Sequence, residues 1–275
     1  MAFKICFLII IALTGCAVFK KDPTSGNPPG TLKINDTLFI DETEVTNISW
    51  REYLYYLSDV EKDEDRYQKA LPDTLVWRSL LRYCEPVVEY YFRHPAFNSY
   101  PAVGISYEQV IEFCKWRTYV ANQGIYFREN KIEDRKAHQK DKFPFKFYYR
   151  LPTKEEWEII AAGKFIDEDH PFGDLKSYTI WKGKQVKSFN CLYPNEMNNF
   201  NNEQALYTAS GKSYFKNVYG CYNLIGNVAE MSSEKGVAKG GSFIHPLDSC
   251  KISIDQNYSK PEMWLGFRCV AVKLK

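Results

Sequence analysis

The sequence predicts an α+β domain in which much of the chain is irregular loop. Three observations carry that expectation. Capping boxes open helices at three places, short alternating stretches near both ends read as strands, and residues 167–220 hold many turn formers with little periodicity. About 245 residues follow residue 30 without a second linker, which fits one large domain.

Taken in order, the chain opens with Lys4 and an apolar run from Ile5 to Ala12, then Leu13–Cys16 as "LTGC". The charged start, the short apolar run and small residues before a cysteine resemble a bacterial lipobox. Residues 1–15 read as a lipoprotein signal peptide, and Cys16 as the lipid-bearing residue. The run is shorter than the roughly 20 residues a membrane span needs, so the expectation is a protein anchored to a membrane rather than crossing it. Ala17 leans towards the outer membrane. Residues 16–30, with "KKDPTSGNPPG", read as a flexible tether.

The domain then occupies 31–275. "TLKINDTLFIDETEV" alternates as strand, turn and strand. "SWRE" at Ser49–Glu52, "SYEQ" at Ser106–Gln109 and "TKEE" at Thr153–Glu156 each place a hydroxyl three residues before Glu or Gln, the reciprocal arrangement that caps a helix start. In the second helix Val110, Phe113, Cys114 and Arg117 follow helical spacing; in the third Trp157, Ile160 and Ala161 would face the core, with Gly163 as its stop. "VAKGGSFIH" and "GFRCVAVKL" read as further strands. Between Trp116 and Arg150 the chain turns charged and then aromatic; residues 117–146 read as a solvated helix and loop, or as a partner-docking surface.

Composition excludes several classes. The formal net charge is +2, so no global field argues for nucleic acid. "SGKS" at 210–213 lacks a phosphate loop's earlier glycine, where Leu206 stands. There is no GxSxG elbow and no HExxH, and His94, His138 and His170 have no partner at ligand spacing; His94 reads as a structural hydrogen bonder. Beyond Cys6 and Cys16 remain Cys84, Cys114, Cys191, Cys221, Cys250 and Cys269. Export would make disulfides plausible, but spacing does not choose the pairs, and no CxxC supports structural zinc. The twelve residues "KGGSFIHPLDSC", 239–250, put His245 and Cys250 five positions apart behind a double glycine, and they are the candidate catalytic pair.

Five segments in order resemble the formylglycine-generating enzyme family, the sulfatase-modifying factors: "FIDETEVTN", "YPAVGISYEQVIEFCKW", "YRLPTKEEWEIIAAG", "NVYGCYNLIGNVAEM", and "KGGSF" with "LGFRCVAV". The resemblance implies a C-type-lectin-like fold with long packed loops. Active members hold copper between two cysteines five positions apart after the double glycine. Here the second falls on Cys250 and the first on His245, so the two soft ligands copper(I) takes are not reproduced, copper is not expected, and no confident catalytic residue remains. The iron-dependent relatives' HxxxHxE triad is absent. The family's NxxGNxxE calcium loop falls on the Asn223 side chain, the Gly226 and Val228 carbonyls and Glu230. The family's disulfide falls on Cys114 and Cys269. Residues 72–97 resemble a segment of gliding-motility and type IX secretion lipoproteins of Bacteroidota. The expectation is a non-catalytic, lipid-anchored adaptor with outer-membrane or periplasmic protein partners. The rivals are a metal-dependent oxidase or hydroxylase using a remodelled site, and a glycan-binding module.

Overall fold

The computed structural model describes residues 26–79, 83–163, 178–181, 184–193, 207–214 and 216–275. The signal segment, Cys16, most of the tether, Leu206, His170 and half of 167–220 lie outside the described residues. Among the described residues, no helix is long and apolar enough to cross a membrane.

The first strands form as the alternation predicts. β1 (Thr31–Lys33) pairs antiparallel with β2 (Leu38–Asp41), and the Asn35 side chain holds the turn by accepting from the N–H groups of Thr37 at 2.9 Å and Leu38 at 2.8 Å. The first helix departs from the expected boundary. α1 (Asn47–Tyr55) is capped by Thr46, whose hydroxyl accepts from the Ser49 N–H at 3.4 Å. Thr46 bridges Pro101 in extended conformation, so the chain turns helical directly after it, and Ser49 lies inside the first turn. Glu52 therefore caps nothing. Burial pushes its carboxyl up to about 7 against the pull of Arg117. The helix widens into a π turn over Tyr56–Glu61 and ends at Lys62, which takes a left-handed φ of 57°. Two short helices follow, α2 (Glu64–Ala70) and α3 (Glu85–Tyr90).

The other two capping boxes form in full. In α4 (Tyr107–Glu129) the Ser106 hydroxyl accepts from the Gln109 N–H at 3.3 Å while the Gln109 side chain accepts from the Ser106 N–H at 2.7 Å. α4 outruns the predicted span and absorbs the first part of the 117–146 segment. The rest is surface loop folded back on it: the Gln139 carbonyl accepts from Gln123 at 3.0 Å, and Phe143 packs between Tyr119 and Tyr126. In α5 (Lys154–Ala162) Thr153 and Glu156 cap each other in the same way, at 3.1 Å and 2.9 Å. Gly163 ends it at φ 60°, where a Cβ would lie 2.6 Å from Val218 Cγ2.

The C-terminal segment read as one strand is two. β9 (Leu265–Gly266) and β10 (Val270–Lys273) belong to different sheets, and Phe267, Arg268 and Cys269 cross between them, all fully buried. "VAKGGSFIH" is likewise strand only over β7 (Val237–Lys239), since Gly240 and Gly241 turn with φ of 86° and 66°. With β3 (Phe147–Arg150), the first sheet runs β1-β2-β10-β3. A hairpin that periodicity did not signal follows as β4 (Tyr178–Trp181) and β5 (Lys184–Lys187). With β6 (Ala229–Met231) and β8 (Asp255–Asn257), the remaining sheet runs β8-β7-β6-β9.

The main core lies between α1, α4 and both four-stranded sheets. Trp50 stacks on Phe113 at 5.2 Å, and Phe267 meets both rings edge-on. α4 also closes the free edge of β3. Asn122 accepts from the Lys146 and Phe147 N–H groups and donates to the Phe147 carbonyl, while the Thr118 hydroxyl accepts from the Tyr149 N–H at 2.9 Å. Four helical residues advance about 6 Å and two strand residues about 6.6 Å, so residues four apart on the helix match groups two apart on the strand.

Candidate functional site

The double glycine positions the candidate pair. Gly241 lies against Cys250 so closely that a Cβ there would meet the sulfur at 2.3 Å. Cys250 ends the short turn Leu247–Cys250, is fully buried, and directs its thiol to the Pro246 carbonyl at 3.4 Å. His245 is half-buried. Its Nδ1 lies 2.6 Å from the Ser242 hydroxyl and its ring meets Trp264 edge-on at 5.0 Å. Burial pushes the imidazole below its ordinary value. Each member of the pair thus has its own partner, and among the described residues no hydrogen bond joins them. A thiol sealed under a glycine is a poor nucleophile and a poor soft ligand. Among the described residues, no three His, Cys, Asp or Glu side chains are grouped to hold a metal ion.

The glycine-asparagine loop leads into β6 through three left-handed residues, Asn223, Gly226 and Asn227. Gly226 is required by contact as well as by φ, since a Cβ would lie 2.4 Å from the Asn190 carbonyl. Four side chains form a buried polar cluster here. Asn223 donates to Glu44 at 3.2 Å and to the Gly211 carbonyl at 3.1 Å; Asn227 donates to Glu44 at 2.7 Å; Asn190 donates to Asn227 at 3.1 Å. Burial pushes the Glu44 carboxyl up to about 7, opposed by the nearby Arg268 cation. The Asn223 and Asn190 side-chain oxygens are buried without a hydrogen-bond donor.

Glu230 is differently placed. Arg268 grips it with two nitrogens, at 2.5 Å and 2.6 Å, and the Trp157 indole donates at 2.7 Å. Arg268 also donates to the carbonyls of Asp41 and Tyr222. All three side chains are buried, so an ion pair held by these hydrogen bonds ties α5, β6 and the crossing segment together. The donors suit a hard cation in part. Asn223 offers an unused buried oxygen, and the loop supplies the Gly226 and Val228 carbonyls. Glu230 brings only the acceptor capacity that Arg268 and Trp157 leave.

Cys114 on α4 and Cys269 after the crossing face each other, unbonded, with their sulfurs 3.7 Å apart. Burial and the neighbouring Cys114 sulfur push the Cys269 thiol well above its ordinary value. Sequence reasoning missed Glu44, Arg268 and Ser242. Arg268 had a signal: a cation inside the apolar run "LGFRCVAV" needs a buried carboxylate.

The model of the sulfatase-modifying factor enzyme 1-like domain matches residues 9–273. The inactive C-alpha-formylglycine-generating enzyme 2 of Bos taurus is 25% identical over 245 residues, 76% of this chain and 66% of that protein. The protein of the same name from Mus musculus is 23% identical over 228 residues, 75% of this chain and 58% of that protein. The chain thus spans a little under two thirds of the length of these relatives. The crystal structure of CarF covers 90% of this chain and 96% of its own, with TM-score 0.51 and 16% identity, a likeness of fold alone.

Proposed function

This chain belongs to the sulfatase-modifying factor enzyme 1-like family, and on that premise we propose that it is a non-catalytic member, a lipid-anchored structural or adaptor protein of the cell envelope. One observation carries the non-catalytic reading: the thiol pair of active members is replaced by His245 and a Cys250 buried beneath Gly241. Redox chemistry on a substrate cysteine needs an accessible thiolate, and neither group supplies one. The two mammalian relatives carry "inactive" in their names, which agrees with this reading. The test is oxygen uptake by the purified full chain given copper or iron and a cysteine-containing peptide. No turnover is expected. Metal-dependent uptake that disappears in Cys250→Ser overturns the reading.

The adaptor role, and a setting in gliding or type IX secretion machinery, rest on the resemblance of residues 72–97. Mild-detergent capture of the protein from native membranes should yield stoichiometric envelope partners; none in repeated captures overturns that role. Calcium belongs to the same reading as a structural ion, held by Asn223, the Gly226 and Val228 carbonyls and Glu230, cross-linking the loop to β6.

A further inference from the structure

Beside α5 the first sheet carries a groove with an aliphatic wall. Val272 pairs with Leu38, and the Ile34 N–H donates to the Leu38 carbonyl at 3.0 Å, so Ile34, Leu38 and Val272 stand in one row. α5 packs over the next row, Ile40 and Val270. Between the open row and α5 lies a groove of about 340 Å³, with Ile159 and Ile160 as its other wall. Small-molecule sites begin near this volume and are mostly apolar, with a few placed polar groups. Among the described residues, the lining holds no aromatic ring.

The charged part of the lining is Arg150 with Glu156. Arg150 pairs with Val270 in register, so its side chain rises on this same face, towards the start of α5. There Nη1 donates to Glu156 at 2.6 Å and to the Leu151 carbonyl at 3.0 Å, while Nη2 donates to the other Glu156 oxygen at 2.7 Å. Glu156 thus takes the Nη1–Nη2 edge of the guanidinium. The Nε–H and the second Nη2 hydrogen form the adjacent edge, two donors side by side in one plane. Neither has an acceptor among the described residues. The Arg150 side chain is 29% exposed, so this edge is within reach of a ligand. Glu156 also accepts from the Thr153 N–H at 2.9 Å, so its charge is met without the second edge. On the opposite rim Asn35 holds the β1–β2 turn with its oxygen, and its Nδ2 donates to none of the described residues.

We propose that this groove binds an aliphatic monocarboxylate of the fatty-acid class. The carboxylate lies on the Nε–Nη2 edge of Arg150 in a two-bond fork, and the alkyl chain runs along Ile34, Leu38, Ile159 and Val272. The head carries one charge, because a dianion would crowd Glu156. The tail is hydrocarbon, because the amides of a peptide would lie unpaired against an aliphatic wall. Binding here is independent of the lipid anchor and of catalysis. The test is photolabelling of the full chain with an alkanoate that carries a diazirine in its chain, followed by peptide mapping. Label is expected in peptides that hold residues 34–38, 159–160 or 272. Octanoate should displace it, and octanol, with the same tail and no charge, should need a concentration about tenfold higher or more. Arg150→Lys keeps a cation for Glu156 but has no second edge. Ile159→Glu sets a like charge at the mouth of the groove, on a residue that is 65% exposed. Each should cut labelling about tenfold, with circular dichroism checking the fold. If Arg150→Lys does not fold, Ile159→Glu decides. Label confined to other peptides, label that octanoate does not displace, octanol competing as well as octanoate, or full labelling of Ile159→Glu overturns the proposal.

Discussion

Arg268 shows how much one buried charge can be asked to hold. Four of its five N–H donors reach Glu230 and two backbone carbonyls, and the Trp157 indole also donates to the carboxylate. Removing one partner leaves the other charged and dry, whereas removing both leaves an apolar gap. Glu230→Ala should lower unfolding stability by about 3–5 kcal/mol, and the double variant Glu230→Leu, Arg268→Met should be less harmful than either single change. Urea midpoints of the four proteins check this. Gly241→Ala is expected to cost about 2 kcal/mol or more, because φ is 66° and the new Cβ strikes the Cys250 sulfur; Gly241→Ala combined with Cys250→Ala should recover part of the loss. Acid acts on a second set of carboxylates. Burial opposes ionisation of Glu156 and Asp255, but Arg150 on the first and Lys154 and Lys239 on the second outweigh it, and both are held below the usual carboxylate range. Groups with depressed folded values contribute stability above their unfolded values, near 4, and lose it as pH falls through the folded ones. This set of carboxylates therefore lowers thermal midpoints as pH falls below about 4, and less so in Glu156→Gln.

At the scale of elements, the two-sided closure of β3 carries most of the consequence. β10 pairs with one edge, and α4 satisfies the other through Thr118 and Asn122. An open edge of this length invites pairing with another chain. Asn122→Leu leaves three backbone groups of Lys146 and Phe147 without their partner, at about 1–3 kcal/mol for each that stays dry. Reduced thermal stability and faster aggregation on heating are expected, and light scattering during a melt measures both. The same element scale explains what was legible in advance. Ser106–Gln109 and Thr153–Glu156 were readable because a capping box is local chemistry. Ser49–Glu52 misled for a nonlocal reason: Thr46 bridges Pro101, some fifty residues away, and that bridge fixes where α1 begins. Asn122 and Thr118 read as ordinary polar helix positions until the strand they serve is in place. The split of "GFRCVAVKL" was hidden similarly, since an unbroken apolar run does not record a change of sheet.

For the whole molecule, the deciding question is how distant segments are fastened. The chain returns to β2 at its end: β10 lies between β2 and β3, and the residue before it, Cys269, faces Cys114 across 155 positions of sequence. The order of motifs made this architecture legible, whereas Glu44, which gathers Asn223 and Asn227 from the far side of the fold, had no local signature. If the compartment is oxidising, the two sulfurs, already adjacent and buried, are in position to join with little movement of their elements. Closing a loop that long is worth about 5 kcal/mol in the chain-entropy model. Protein isolated from its native envelope should therefore show a Cys114–Cys269 linked peptide in non-reducing digests, and a thermal midpoint that drops on full reduction. Cys114→Ser should reproduce the drop and make reduction indifferent. Finding both thiols unlinked in native material, with no effect of reductant, would place the chain among proteins that keep the pair only as packing, and would remove export as the reason for its cysteines.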